Sequence, residues 1–276
     1  MNSRFYQTTV RPDFTVATAM GTAYSDNDCL FTWNKFHIPK GTAKLTNISG
    51  IIQGTNATAG NSHDFTLYFA RTINGVAPPR FDIIHSGMAA TFSASYRRHI
   101  IGKILIDESA STDTDHLVGY SVFNTVDFTG KVAQTIILNS DGVPFNNSFT
   151  HPSGFTYDGA IVTPSYMSET PEGYETYFVA AVAHGAFDFG TDVDLNQVGN
   201  QAESAAAVQI TTTGTDPRFV FATGDILVGE TGGPTMEVVT VDSATTMTVK
   251  NISEQIDQSE QLCFKSPVRL ELGFEY

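Results

Sequence analysis

Carboxylates and histidines are the residues of this 276-residue chain whose types and spacing bear on chemistry. Three acidic runs offer oxygen ligands of the kind calcium prefers: Asp26-Asn27-Asp28, Asp113-Thr114-Asp115 and the stretch from Asp188 to Asp194. None completes a twelve-residue loop with a central glycine and a terminal glutamate, so each reads as a solvated turn. The seven histidines (His37, His63, His85, His99, His116, His151 and His184) are dispersed, with none at the i, i+4 spacing of a helical zinc site. Nucleotide fingerprints fail as well. Gly41-Thr42-Ala43-Lys44 lacks the leading glycine of a phosphate loop, and no GxSxG elbow announces a serine hydrolase. Paired carboxylates for glycoside hydrolysis are common in any acidic chain and discriminate nothing. No catalytic residue, metal or cofactor is expected. The remaining candidates are contact residues: Phe5, Tyr6 and Arg11 near the start, and Phe145, Phe149, Phe155 and Tyr157 in a long stretch rich in Gly, Pro, Asn and Ser. Those later aromatics are suited to stacking on sugars, or to burial against a neighbouring subunit.

The elements that position such residues are strands. From Lys35 to Arg71, two apolar segments, Leu45–Ile52 and Phe65–Ala70, flank a polar loop. In the second, Phe65, Leu67 and Phe69 alternate with Thr66, Tyr68 and Ala70, the period-2 pattern of a strand with one face in a core. Pro39-Lys40-Gly41 supplies turn chemistry before the first. This stretch is the spine of a β-sandwich. Further strands are expected at Cys29–Ile38, Phe81–Ile84, Arg98–Asp107 (with Ile100, Ile104 and Ile106 on one face), Leu117–Phe123, Lys131–Leu138 and Tyr174–Ala183. Trp33, the only tryptophan, is expected as a core anchor. Val198–Val208, containing QAESAAAV, is the best helix candidate.

The chain ends on Val268–Tyr276, where Val268, Leu270, Leu272, Phe274 and Tyr276 alternate with Arg269, Glu271, Gly273 and Glu275. So regular an alternation predicts a strand docked on the sandwich. Before it, a strand over Arg218–Val228 interrupted at Gly224-Asp225, another over Met236–Val241, and the turn Asp242–Thr245 into Met247–Val249 suit a small barrel or β-clip. The expected organisation is an arm or edge strand over 1–24, a β-sandwich over 25–215 plus 266–276, and a small β module over 216–265 inserted before the last strand. The class is all-β.

Charge narrows the partners. Net charge is −14, but residues 1–106 carry 5 acids and 10 bases, whereas residues 107–215 carry 14 acids against the single base Lys131. General nucleic-acid binding needs clustered Lys and Arg, and is not expected. The polarity between segments suits either self-assembly of a basic face on an acidic one or a solvated acidic surface. Cys29 and Cys263 stand far apart, as two free, half-buried thiols do. The N-terminal MNSRFYQTTVRPDF has no apolar signal-peptide core and no run approaches a membrane span, so neither secretion nor membrane contact is expected.

The order of segments carries one resemblance. KLTNISGII (Lys44–Ile52) leads through a polar loop to DFTLYFAR (Asp64–Arg71). Later YETYFVAAVAHGAF precedes the acidic Asp192-Val193-Asp194-Leu195, and GDILVG with MEVVTVDSATTMTV follows. This pattern resembles uncharacterised β-sandwich virion structural proteins of tailed bacteriophages of the marine and cyanophage type. The resemblance implies that the β-sandwich is jelly-roll-like and that the chain is a non-enzymatic virion component assembled in the host cytoplasm, most simply a capsid decoration (cement) protein. It would form homo-oligomers, such as trimers, and bind the major capsid protein or other virion proteins. Alternatives are a neck, tail or tail-fibre component, or a carbohydrate-binding β-sandwich.

Overall fold

The computed structural model describes residues 4–12, 14, 23–54, 64–79, 81, 84, 87, 94–106, 120–124, 135–142, 170–185, 189–229 and 234–276. Its strands are β1 (Phe5–Val10), β2 (Cys29–Pro39), β3 (Ala43–Gln53), β4 (Asp64–Arg71), β5 (Ile100–Ile106), β6 (Tyr120–Asn124), β7 (Ile137–Leu138), β8 (Tyr174–His184), β9 (Gly190–Leu195), β10 (Val208–Gly214), β11 (Ile226–Gly229), β12 (Thr235–Val241), β13 (Thr246–Lys250), β14 (Gln261–Phe264) and β15 (Val268–Glu275). One short helix, α1 (Ala94–His99), precedes β5.

Two antiparallel sheets face each other. The first runs β1-β15-β3-β6, with β7 paired to β3; the second runs β2-β8-β4-β5. The remaining strands close a barrel in the order β10-β13-β12-β11-β14-β9. With β7 and the barrel set aside, eight strands remain among the described residues, and their chain order across the two sheets is 1-8-3-6 and 2-7-4-5. That is the strand order of a jelly roll. The barrel is inserted in the connection between its seventh and eighth strands.

The period-2 pattern explains why these segments pair as they do. Leu270, Leu272 and Phe274 of β15, Phe65, Leu67 and Phe69 of β4, and Tyr177, Val179 and Ala181 of β8 all enter one inter-sheet core. Phe36 stacks between Tyr177, at a centroid separation of 6.0 Å, and Phe274, at 5.9 Å. Each such ring, taken wholly out of water, contributes about 1.5–3 kcal/mol. The two strands of the expected spine, β3 and β4, lie in opposite sheets.

The second sheet is covered on its outer face too. Trp33, Phe81, Phe178, Ala180, Val182, Ala70 and Cys29 form a separate apolar cluster there. Trp33 is fully buried as expected, but on this outside layer rather than between the sheets. Both cysteines are free and buried completely, more deeply than expected.

Local expectations fail where backbone geometry overrides pattern. Arg98 and His99 close α1 instead of opening a strand. The ladder shifts register between Phe69 and Ala70, where Ile100 and Gly102 are successive partners of β4. This bulge turns Ile100 toward the outer cluster while Ile104 and Ile106 stay in the inter-sheet core. A Cβ on Gly102, beside the bulge, would stand 2.9 Å from the Ile136 side chain, so a larger residue there would have to displace Ile136. Phe81 lies outside any strand and Ile84 sits in a turn, because Phe81 is used as a lid, its ring 4.7 Å from Trp33. Of Lys131–Leu138, residues 131–134 lie outside the described residues, and only Ile137–Leu138 pair, with Lys44 and Ala43.

The helix expected over Val198–Val208 is absent; Gln201 and Ser204 instead bridge to Ile256 and Ile252. Its alanines favour helix but offer no apolar stripe to bury, and backbone bonds to a neighbouring segment win. Residues 217–219 form a 3-10 turn rather than a strand. The barrel also begins earlier than residue 216. β9 and β10, expected in the sandwich, are barrel strands, because a closed barrel leaves no open edge and two further strands are needed to close it.

Candidate contact surfaces

The outer face of the first sheet is built from the outward members of alternating strands. One row crosses it from Phe5 to Glu275, Lys44 and Ile137. Phe5 is 74% exposed and Ile137 58%, so two apolar side chains flank a charged pair at the end of the sandwich away from the barrel. The next row holds Gln7, Gly273 and Asn47, and the following one Thr9, Glu271 and Ser49. Glu271 gathers this face together. It accepts from Gln7 Nε2 at 3.1 Å and from Thr9 Oγ1 at 2.7 Å, and Arg269 Nε lies 3.4 Å away. The result is a polar face with exposed apolar corners.

Contact residues expected from sequence divide accordingly. Phe5 lies on this face. Tyr6, next to it, points the other way and packs on Tyr174 at 5.9 Å, since successive side chains of a strand face opposite sides. Arg11 follows the strand and is exposed. Phe145, Phe149, Phe155 and Tyr157 lie outside the described residues. Sequence reading missed Ile137, whose apolar run suggested an inner strand, and Phe219 of the barrel. Phe219 is 68% exposed on a turn capped by Asp216, whose carboxylate accepts from the Arg218 backbone N–H at 3.0 Å and its guanidinium at 2.7 Å. The only signal was Asp216-Pro217, a helix-start pair.

Around the turn before β2, polar side chains bond to one another and to the backbone. His184 Nε2 is 2.7 Å from Thr66 Oγ1 and its Nδ1 is 3.2 Å from Asp26 Oδ1. Hydroxyl, imidazole and carboxylate are thus in sequence, as in a nucleophile relay. The Thr66 residue, however, is only 6% exposed, and the arrangement clamps the ends of β4 and β8 to the turn before β2. Asp28 accepts from the Ser25 N–H at 2.7 Å, so both acids of the first expected acidic run are engaged within the fold. Asp113-Thr114-Asp115 and Asp188 lie outside the described residues. Asp192 and Asp194 sit on β9, where burial raises both carboxyls above the usual range, and for Asp194 the charge of Asp192 adds to it. Among the described residues no group of three or more His, Cys, Asp or Glu is placed to hold a metal ion.

At the far end of β2, burial and then the nearby Lys35 charge lower His37 to about 4. Burial brings Lys35 itself to about 8. The His37 ring contacts Thr176 Oγ1 at 3.2 Å.

No family model matches the chain and no curated protein matches it. Among solved structures, the cryo-EM structure of a T=1 Penaeus vannamei nodavirus aligns over 100% of this chain and 97% of that one. Identity is 8% and the TM-score 0.13, a likeness that carries no argument about fold or function. Among the described residues no helix is long and apolar enough to cross a membrane.

Proposed function

We propose that the chain is a non-enzymatic virion structural protein of a tailed bacteriophage, acting as a capsid decoration that self-associates and fastens neighbouring shell subunits. One observation carries the reading: the space between the jelly-roll sheets is filled by Phe14, Phe31, Phe36, Phe65, Phe69, Tyr177, Phe189 and Phe274, all at most 2% exposed. A jelly roll can hold a ligand between its sheets, and the same fold serves capsid, lectin and enzyme functions. With that space packed, binding falls to the outside, where the first sheet presents its polar face with Phe5 and Ile137. The mechanism is mass action: contacts made only in the assembled shell lower its free energy relative to dispersed subunits.

Co-sedimentation with expanded phage shells tests this. The expected outcome is saturable binding at a fixed stoichiometry, a higher melting temperature of the shells, and weakened binding in Phe5→Ser. Shells that neither bind the protein nor gain heat resistance overturn the proposal. A glycan array positive in the same preparation would move the chain to the carbohydrate-binding class.

A further inference from the structure

The barrel is electrically one-sided. Between residues 190 and 264 stand eleven acids and two bases. Both bases are already engaged: Arg218 with Asp216 at 2.7 Å and Lys250 with Glu237 at 2.9 Å. The barrel therefore faces its surroundings with a large uncompensated negative charge. Part of that charge is carried on an irregular two-stranded ribbon in which Gln197, Gln201 and Ser204 bond to Gln258, Ile256 and Ile252. Exposed Glu203, Glu254 and Asp257 lie on this ribbon. So does Val198, an apolar side chain with full exposure at 109% of the reference area.

The sandwich carries the complement. Arg97 and Arg98, in the last turn of α1, are exposed, and so is Lys103 on β5. β5 is the outer strand of the second sheet, and it exposes Leu105 at 48%. Among the described residues none of these three bases has an ion-pair partner. The edge thus mirrors the ribbon: three cations beside one exposed aliphatic, against three carboxylates beside another.

We propose that a second copy of this chain is the occupant of both surfaces, the acidic ribbon of one copy seating on the β5 edge of the next. The proposal rests on the reading of the chain as a self-associating structural protein and names the surfaces involved. The two patches differ, so the contact is heterologous, and repetition gives a ring where the rotation closes and a filament where it does not. Charge complementarity of this kind governs association rate and register, and apolar contact between Val198 and Leu105 adds a water-excluding centre. The β5 edge also gains a cover, which exposed sheet edges require.

Light scattering coupled to size exclusion, at low and high salt, reads the association. The expected result is oligomers at low salt, with the dissociation constant weakened about tenfold or more between about 50 mM and about 500 mM NaCl, as screening shortens the reach of the charges. The triple variants R97E/R98E/K103E and E203K/E254K/D257K are each expected to be monomeric. An equimolar mixture of the two is expected to associate again, because each reversed surface then meets its opposite. A variant that does not fold, as judged by its melting curve, leaves the salt series of the wild-type chain to decide. Association indifferent to salt, triple variants that still assemble, or a mixture that stays monomeric overturns the inference. Shell co-sedimentation is scored separately: a wild-type monomer that still binds shells overturns this inference and leaves the virion reading intact.

Discussion

Trp33 donates its indole N–H to the carbonyl of Pro79 at 2.7 Å in a buried position. One hydrogen bond thereby fastens the segment after β4 across the outer face of the second sheet, and Phe81 closes over the same indole ring. Trp33→Phe keeps most of the apolar area but leaves the Pro79 carbonyl without this donor. A loss of about 1–3 kcal/mol is expected, and Trp33→Ala should cost about 3–5 kcal/mol. Urea unfolding followed by circular dichroism reads both. In the wild-type chain the single tryptophan should report the transition by fluorescence, and a transition in emission that precedes the one in circular dichroism would mean that the outer layer opens by itself.

Gly214 holds the barrel at a point where no side chain fits. Its φ is +86°, and a Cβ there would collide with the backbone carbonyl oxygen of Asp192, itself at φ +54°. Gly214→Ala is expected to destabilise by about 2 kcal/mol or more, since both backbone strain and a clash with rigid main chain are added. Gly224→Ala serves as a control, with φ +93° but open space around it, and should cost less. Equal losses in the two variants would show that the Asp192 contact contributes nothing.

His37 links stability to acidity. Its folded-state value, lowered to about 4 by burial and then by Lys35, lies below the unfolded value of about 6.5. The group therefore contributes stability that is present above about 6.5 and is lost as pH falls toward about 4, because the unfolded chain takes up the proton first. Thermal melting of His37→Gln against wild type should show the variant losing less stability across that window. Parallel pH profiles would exclude His37 as the source.

Asp194 works with the opposite sign. Its carboxyl is raised by burial and by Asp192, so it contributes stability that is present below the unfolded carboxylate value and lost as pH rises through the folded one. Asp194→Asn should consequently melt higher than wild type at neutral pH, with the gap narrowing on acidification. A lower melting temperature at neutral pH would show that the carboxylate makes a contact worth more than its desolvation costs.

The two cysteines should be silent until the chain unfolds. Both are free and 0% exposed, one in the outer cluster and one where barrel meets sandwich. Thiol titration of the native protein should give no reaction, and the denatured chain should react at both. Reaction of either thiol in the native state would reveal local opening of its cluster.

The alternation of apolar residues by itself determined the all-β class and most strand positions. β15 is the clearest case: its Val268, Leu270, Leu272 and Phe274 face one core because the pleat has a period of two. The same logic placed β2, β3, β4 and β8. What alternation does not encode is which strand lies beside which. That β15 runs between β1 and β3, more than two hundred residues away, and that β9 and β10 complete the barrel, follow from long-range ladders whose partners only the fold brings together. The room left for a side chain at Gly102, beside the bulge, is set by Ile136, a residue distant in sequence. Exposed apolar residues divide the same way. Phe5 was legible as an apolar residue on a terminal strand, whereas the exposure of Ile137 and Phe219 was not, because an apolar side chain is written alike whether it is destined for a core or for the surface. Burial is a property of the assembled layers, and the tertiary structure alone decided it.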